Sequence, residues 1–153
     1  MKKFKLLFAT LMLLVLTACS MESPFLENAE ESTTNENFKI GFSISTLNNP
    51  FFVTLSEGAE ANAKEQGADI SIVDAQDDAS KQASDVEDLI QQGVDLILIN
   101  PVDSSAVGSA VESANAAGIP VITVDRSAES GEVVSHIASD NVAGGVLAGE
   151  YLL

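Results

Sequence analysis

What this chain has little of closes off several functions at once. It holds one cysteine, one histidine and no tryptophan in 153 residues, so neither a disulfide framework nor a thiol metal site can be assembled. Basic residues number seven, and Lys2, Lys3 and Lys5 stand at the very start. Beyond them only Lys39, Lys64, Lys81 and Arg126 oppose 23 acids, a net of −19 after Cys19. A surface of that sign repels phosphate backbones, so nucleic acid is not an expected partner. The acids are not arranged as a cation store either. Asp77-Asp78 and Glu87-Asp88 lack the spacing of a ligand loop, and the acidity reads as a solvated surface. His136 has no nucleophile or ligand partner nearby in sequence and reads as a packed or surface residue. Gly144, Gly145 and Gly149 do not keep the G-x-G-x-x-G spacing of a dinucleotide turn. No Ser-His-Asp set or carboxylate pair stands at working spacing, so no enzyme activity, metal or cofactor is expected.

Long apolar runs are also lacking. The longest, Leu6 to Leu16, is too short to span a bilayer, which takes about 20 residues. Behind three lysines and closed by Leu16-Thr17-Ala18-Cys19, it has the layout of a secretory signal. With cysteine at the cleavage point, the segment resembles a bacterial lipobox. That resemblance implies residues 1–19 as a lipoprotein signal, with Cys19 lipidated as the new N-terminus. Residues 20–37 are polar and acid-rich without an apolar period and read as a flexible tether, with a reach of roughly 20–25 Å.

What is present begins at Phe38. Hydrophobic residues make up 46% of the chain and mean hydropathy is +0.21, enough for one core and too little for two full domains. Short runs rich in Ile and Val alternate with helical patterns, which predicts an α/β fold: an open parallel sheet with helices on both faces. Strands are expected at Lys39 to Ile44, Ile70 to Asp74, Leu96 to Asn100, Val121 to Val124 and Val133 to Ala138. Phe52, Leu55, Ala59 and Ala63 give a first helix its buried stripe, and Ala79, Ala83, Val86 and Ile90 a second. Asp103 is the expected N-cap of a third, packed through Ala106, Ala110, Val111 and Ala114. Gly67, Gly93 and Gly118 are the expected helix stops. A fourth helix begins near Asn141.

In open parallel sheets ligands bind beyond the carboxyl ends of the strands, where strand order reverses. Asn49, Asn100 and Asp125-Arg126 all follow strands and so converge on that edge. Asn49 before Pro50 predicts a helix N-cap whose amide offers a donor and an acceptor. Phe51 and Phe52 add flat apolar faces suited to the C–H face of a sugar. Asp125 supplies acceptors only and Arg126 a fork of donors, a pair able to hold adjacent ring hydroxyls.

Four separated stretches, STLNNPFF (45–52), LINPVDSSAVG (98–108), IPVITVDR (119–126) and GEVVSHIASDN (131–141), together resemble the ribose-binding, type I sugar-binding family of substrate-binding proteins of bacterial ABC importers. The resemblance implies that Asn49, Asp125 and Arg126 hydrogen-bond a monosaccharide, D-ribose first, that Phe51 and Phe52 flank its ring, and that Asn100 supports the rim. It implies two lobes closing by hinge bending. Residues 38–139 would be the N-terminal sugar-binding lobe. Ser139 and Asp140 would be the first hinge, and residues 140–153 the hinge with the opening helix of a second lobe whose remainder is missing here. Expected partners are the sugar, the ABC permease subunits and, through the N-terminal lipid, the extracytoplasmic face of a Gram-positive cell membrane. The alternatives are a receptor of the same family for another sugar or a furanose-like signal, and a truncated fragment that binds nothing. A Cys19→Ala chain is expected to incorporate no labelled fatty acid and to leave the membrane fraction; a variant that still labels and pellets with membranes would overturn the lipobox reading.

Overall fold

The computed structural model describes residues 37–153, so the signal, Cys19 and nearly all of the tether lie outside the described residues. Five strands and four helices follow one another: β1 (Lys39–Ile44), α1 (Pro50–Glu65), β2 (Asp69–Asp74), α2 (Ala79–Gln91), β3 (Leu96–Ile99), α3 (Gly108–Ala116), β4 (Val121–Val124), β5 (Ser135–Ile137) and α4 (Asn141–Leu152). The sheet order is β2-β1-β3-β4-β5 and every pair is parallel. The chain leaves β1 toward one side and β3 toward the other, which puts the reversal of strand order between these two strands.

Register sorts the two faces. Phe42 pairs with Ile72 on one side and Leu98 on the other, and this face meets α1 in a cluster of Phe42, Ile44 and Phe52, backed by Leu55 and Ala59. The opposite face offers Ile97, Ile99 and Val121 to Val86 and Leu89 of α2 and to Ala110, Val111 and Ala114 of α3. Side chains alternate across a strand, so a helix on each side is needed to bury both sets.

The expected helix stops are where sequence places them. Gly67, Gly93 and Gly118 have φ of +74°, +67° and +76°, the left-handed conformation that ends a helix without a Cβ clash. Two expectations need correction. Asp103 does not cap the third helix: its carboxylate accepts from the amides of Ser105 (3.0 Å) and Ala106 (2.8 Å), closing a turn, and α3 starts only at Gly108. Ala106 is accordingly exposed. The last strand is shorter than Val133 to Ala138, because only Ser135–Ile137 pairs with β4.

The segment between β4 and β5 is held by close approach. Gly131 has φ +84°, and a Cβ there would meet Val111 Cγ1 at 2.5 Å. Gly58, inside α1, has nothing within 4 Å of its Cβ position. Gly131→Ala should therefore destabilise the fold by about 1–3 kcal/mol, whereas Gly58→Ala should stabilise it by about 0.5–1 kcal/mol. Urea unfolding checks both, and equal effects would contradict the packing described.

Candidate functional site

Three strand ends are tied together by one side chain. Asn100, immediately after β3, is fully buried. Its Oδ1 accepts from the amide (3.2 Å) and hydroxyl (2.6 Å) of Ser45, just past β1, and its Nδ2 donates to Val124 O at the end of β4 (3.0 Å). A buried amide needs partners for both its oxygen and its nitrogen, and here each is bonded to a neighbouring strand end. Asn100 therefore lies beneath the edge rather than at its rim.

Above it the chain turns sharply. Val124 O also accepts from Arg126 N at 2.8 Å, a three-residue γ-turn centred on Asp125, whose φ is +66°. Such turns are rare and strained, and strain in a non-glycine residue is retained where a side chain must be aimed. Asp125 N donates to Ile137 O at 2.8 Å, which fixes the turn to β5 and leaves Asp125 half-buried at the strand ends.

Arg126 does not pair with its neighbour. Its Nη1 donates to Pro101 O (3.1 Å) and Val102 O (2.7 Å) in the loop after β3, and among the described residues the one salt bridge is Lys81–Asp85 at 2.7 Å. Part of the guanidinium fork is thus used to tie the residue to the loop after β3, through Nη1 alone. The same loop keeps an anion. The Asp103 carboxyl is held below the ordinary aspartate range, first by the Ala106 N–H, then by the Ser105 hydroxyl and N–H, with the charge of Arg126 adding to them and desolvation opposing.

Asn49 caps α1, and its Oδ1 accepts from Phe51 N at 2.9 Å. The helix thus takes one lone pair of the Asn49 oxygen, and a second lone pair and the Nδ2 donor remain. The two phenylalanines part company. Phe51 is 53% exposed and Phe52 only 6%. Their rings meet edge to face, with centroids 5.2 Å apart and planes at 72°, so Phe52 sits in the core and supports the ring that is presented. Phe51, Leu55, Val124, Asp125, Ile137, Ala138 and Ser139 line one hollow of about 240 Å³. The edge thus brings Phe51, Asp125 and Ser139 together, flanked by Asn49 and Arg126, while Phe52 and Asn100 lie below it. Hollows of similar size near Lys39, Asp69 and Val94 open at the amino ends of the strands, so size does not select the site; strand polarity does.

Residues 40–153 match the periplasmic binding protein domain. The chain belongs to that family. Members of the periplasmic binding protein domain family are substrate-binding proteins and not enzymes. The chain is 58% identical over 152 residues to the ribose import binding protein RbsB of Bacillus subtilis (strain 168), covering 99% of this chain and 50% of the relative. It is 54% identical over 113 residues to RbsB of Escherichia coli (strain K12), covering 74% of this chain and 38% of that one. Among solved structures, an ABC transporter solute binding protein from Mycobacterium smegmatis with bound glycerol superposes with a TM-score of 0.74 at 44% identity, over 76% of this chain and 40% of that one. The chain thus spans about half or less of the length of the relatives it matches.

One structural residue escaped the sequence reading. Gln82 of α2 is 2% exposed and bonds to the strand ends. Its signal was a polar residue standing inside the apolar stripe of Ala79, Ala83 and Val86.

The strain at Asp125 can be separated from its charge. Asp125→Asn, which keeps the size and branching of the side chain, should leave the melting temperature nearly unchanged, whereas Asp125→Val, β-branched at positive φ, should cost about 1–3 kcal/mol. Thermal unfolding followed by circular dichroism checks this, and a Val variant as stable as the Asn variant would contradict the turn geometry.

Proposed function

We propose that this lobe takes a monosaccharide, D-ribose first, at the carboxyl edge of its sheet, and that the protein carrying it is an extracytoplasmic lipoprotein which hands that sugar to an ABC permease. The observation that carries the proposal is the hollow lined by both the exposed Phe51 and Asp125. A sugar has an apolar C–H face and a polar rim, and this hollow offers a surface for each. In the bound state Phe51 stacks on the ring, with Phe52 behind it edge-on. Asp125 accepts from two adjacent hydroxyls. The free N–H groups of Arg126 and the Nδ2 of Asn49 donate to sugar oxygens, each acting from a side chain already immobilised at its other end. Side chains fixed in advance lose little freedom on binding.

The choice of D-ribose is supported by the two relatives described as ribose import binding proteins. Ser139 and Asp140 follow β5, and Asp140 caps α4 by accepting from Ala143 N at 2.8 Å. We place the hinge there, between a rigid sheet and a capped helix. Lipid attachment at Cys19 would retain the receptor on a Gram-positive cell, which lacks an outer membrane to confine it.

The test is a titration of the 15N-labelled protein with D-ribose, D-allose and D-galactose, followed by amide shifts. Expected are shifts gathered at Asn49, Phe51, Asp125 and Ser139, strongest with D-ribose. Arg126→Ala, which removes a charge-assisted contact of ~1.5–3 kcal/mol, should weaken binding roughly 10- to 150-fold. Saturating sugar that leaves these amides unmoved, or that shifts only the Lys39 and Asp69 edge, would refute the assignment.

A further inference from the structure

Gln82 lies on α2, a helix that contributes nothing to the hollow, yet its side chain reaches the segment on which Arg126 rests. Its Nε2 donates to Asn100 O (3.0 Å) and to Ser43 Oγ (3.2 Å), and its Oε1 accepts from Val102 N (2.8 Å). Between those two backbone groups stands Pro101, which is buried and has no N–H to give. The chain leaving β3 therefore cannot continue its ladder, and the primary amide of Gln82, with one acceptor and two donors, serves the segment as a neighbouring strand would. The carbonyls so fixed, Pro101 O and Val102 O, are the two that receive Arg126 Nη1.

We infer that Gln82 is a positioning residue for Arg126: by clamping Asn100 to Val102 from below, it aims the guanidinium at the ligand edge. The relay runs from Gln82 Oε1 to Val102 N–H, and from Val102 O to Arg126 Nη1. This inference rests on the sugar-site reading for its purpose, but its geometry holds in the absence of sugar, so the two can fail separately.

Arg126 is the only arginine in the chain, which makes its guanidinium an isolated probe in 15N spectra of the ligand-free protein. In the native chain the Nη groups should be resolved by slow rotation. In Gln82→Met, which keeps length and loses every hydrogen bond, they should collapse to one averaged line. Gln82→Glu, read at a pH low enough to keep its carboxyl protonated, retains an acceptor for Val102 N–H and an O–H donor for Asn100 O and should keep them resolved. Gln82→Asn, one methylene too short to reach Val102, should average them, and it serves where the Met variant does not fold. Ile72→Val, a core change on the α1 face, should lower the melting temperature without touching the Arg126 lines. Ribose titration of the same proteins should show affinity falling in the Met and Asn variants and retained in the Glu variant. Unchanged Arg126 lines in a folded Met or Asn variant overturn the inference, as does a Glu variant as mobile as the Met one. If the lines respond as expected and no variant, nor the native chain, takes up ribose, then Gln82 positions Arg126 and it is the sugar reading that fails.

Discussion

A buried amide at the crossing of three strand ends is the constraint from which the candidate site follows. Asn100 cannot be stripped of water without partners, and the partners within reach are Ser45 past β1 and Val124 at the end of β4. Meeting that demand draws the loops after β1, β3 and β4 to a common height. An unmet buried donor or acceptor costs roughly 1–3 kcal/mol, comparable with a sizeable share of a small domain's net stability. The arrangement is therefore enforced by the core and is not left to the loops.

Each group that faces outward is held by one that faces inward. Asp125 sits in a strained turn whose carbonyl is shared with Asn100, Arg126 rests on two carbonyls set by Gln82, and Phe51 is backed by Phe52. The hollow is in this sense preorganised: the strain and desolvation are met on folding, and little remains to be met when a ligand arrives. The cost shows as positive φ at Asp125 and as a loop, Pro101 to Val107, that delays the start of α3.

Much of this was legible in the sequence. Ile- and Val-rich runs marked four strands to within a residue, because parallel strands buried on both faces tolerate little else. Gly67, Gly93 and Gly118 marked the helix ends because only glycine enters the left-handed region freely. Asn49-Pro50 marked the start of α1. What sequence misread was competition for hydrogen bonds. Asp103 looked like a cap, but three bonds within its own turn absorbed it. Helix periodicity placed Phe52 in the buried stripe of α1, and the structure keeps it there while Phe51, one residue earlier, turns to solvent. Gln82 stood out only as a polar residue in an apolar stripe, because its partners, Ser43 Oγ, Asn100 O and Val102 N, are brought near by the fold.

The central claim is that the carboxyl edge, between Phe51 and Asp125, is where a sugar sits. A crystal structure of the protein grown with D-ribose tests it most directly. The account predicts a pyranose ring stacked on Phe51, with hydroxyls on the Asp125 carboxylate and oxygens facing Arg126 and the Asn49 Nδ2. Sugar density at the amino ends of the strands, near Lys39 and Asp69, with the carboxyl edge empty, would contradict it.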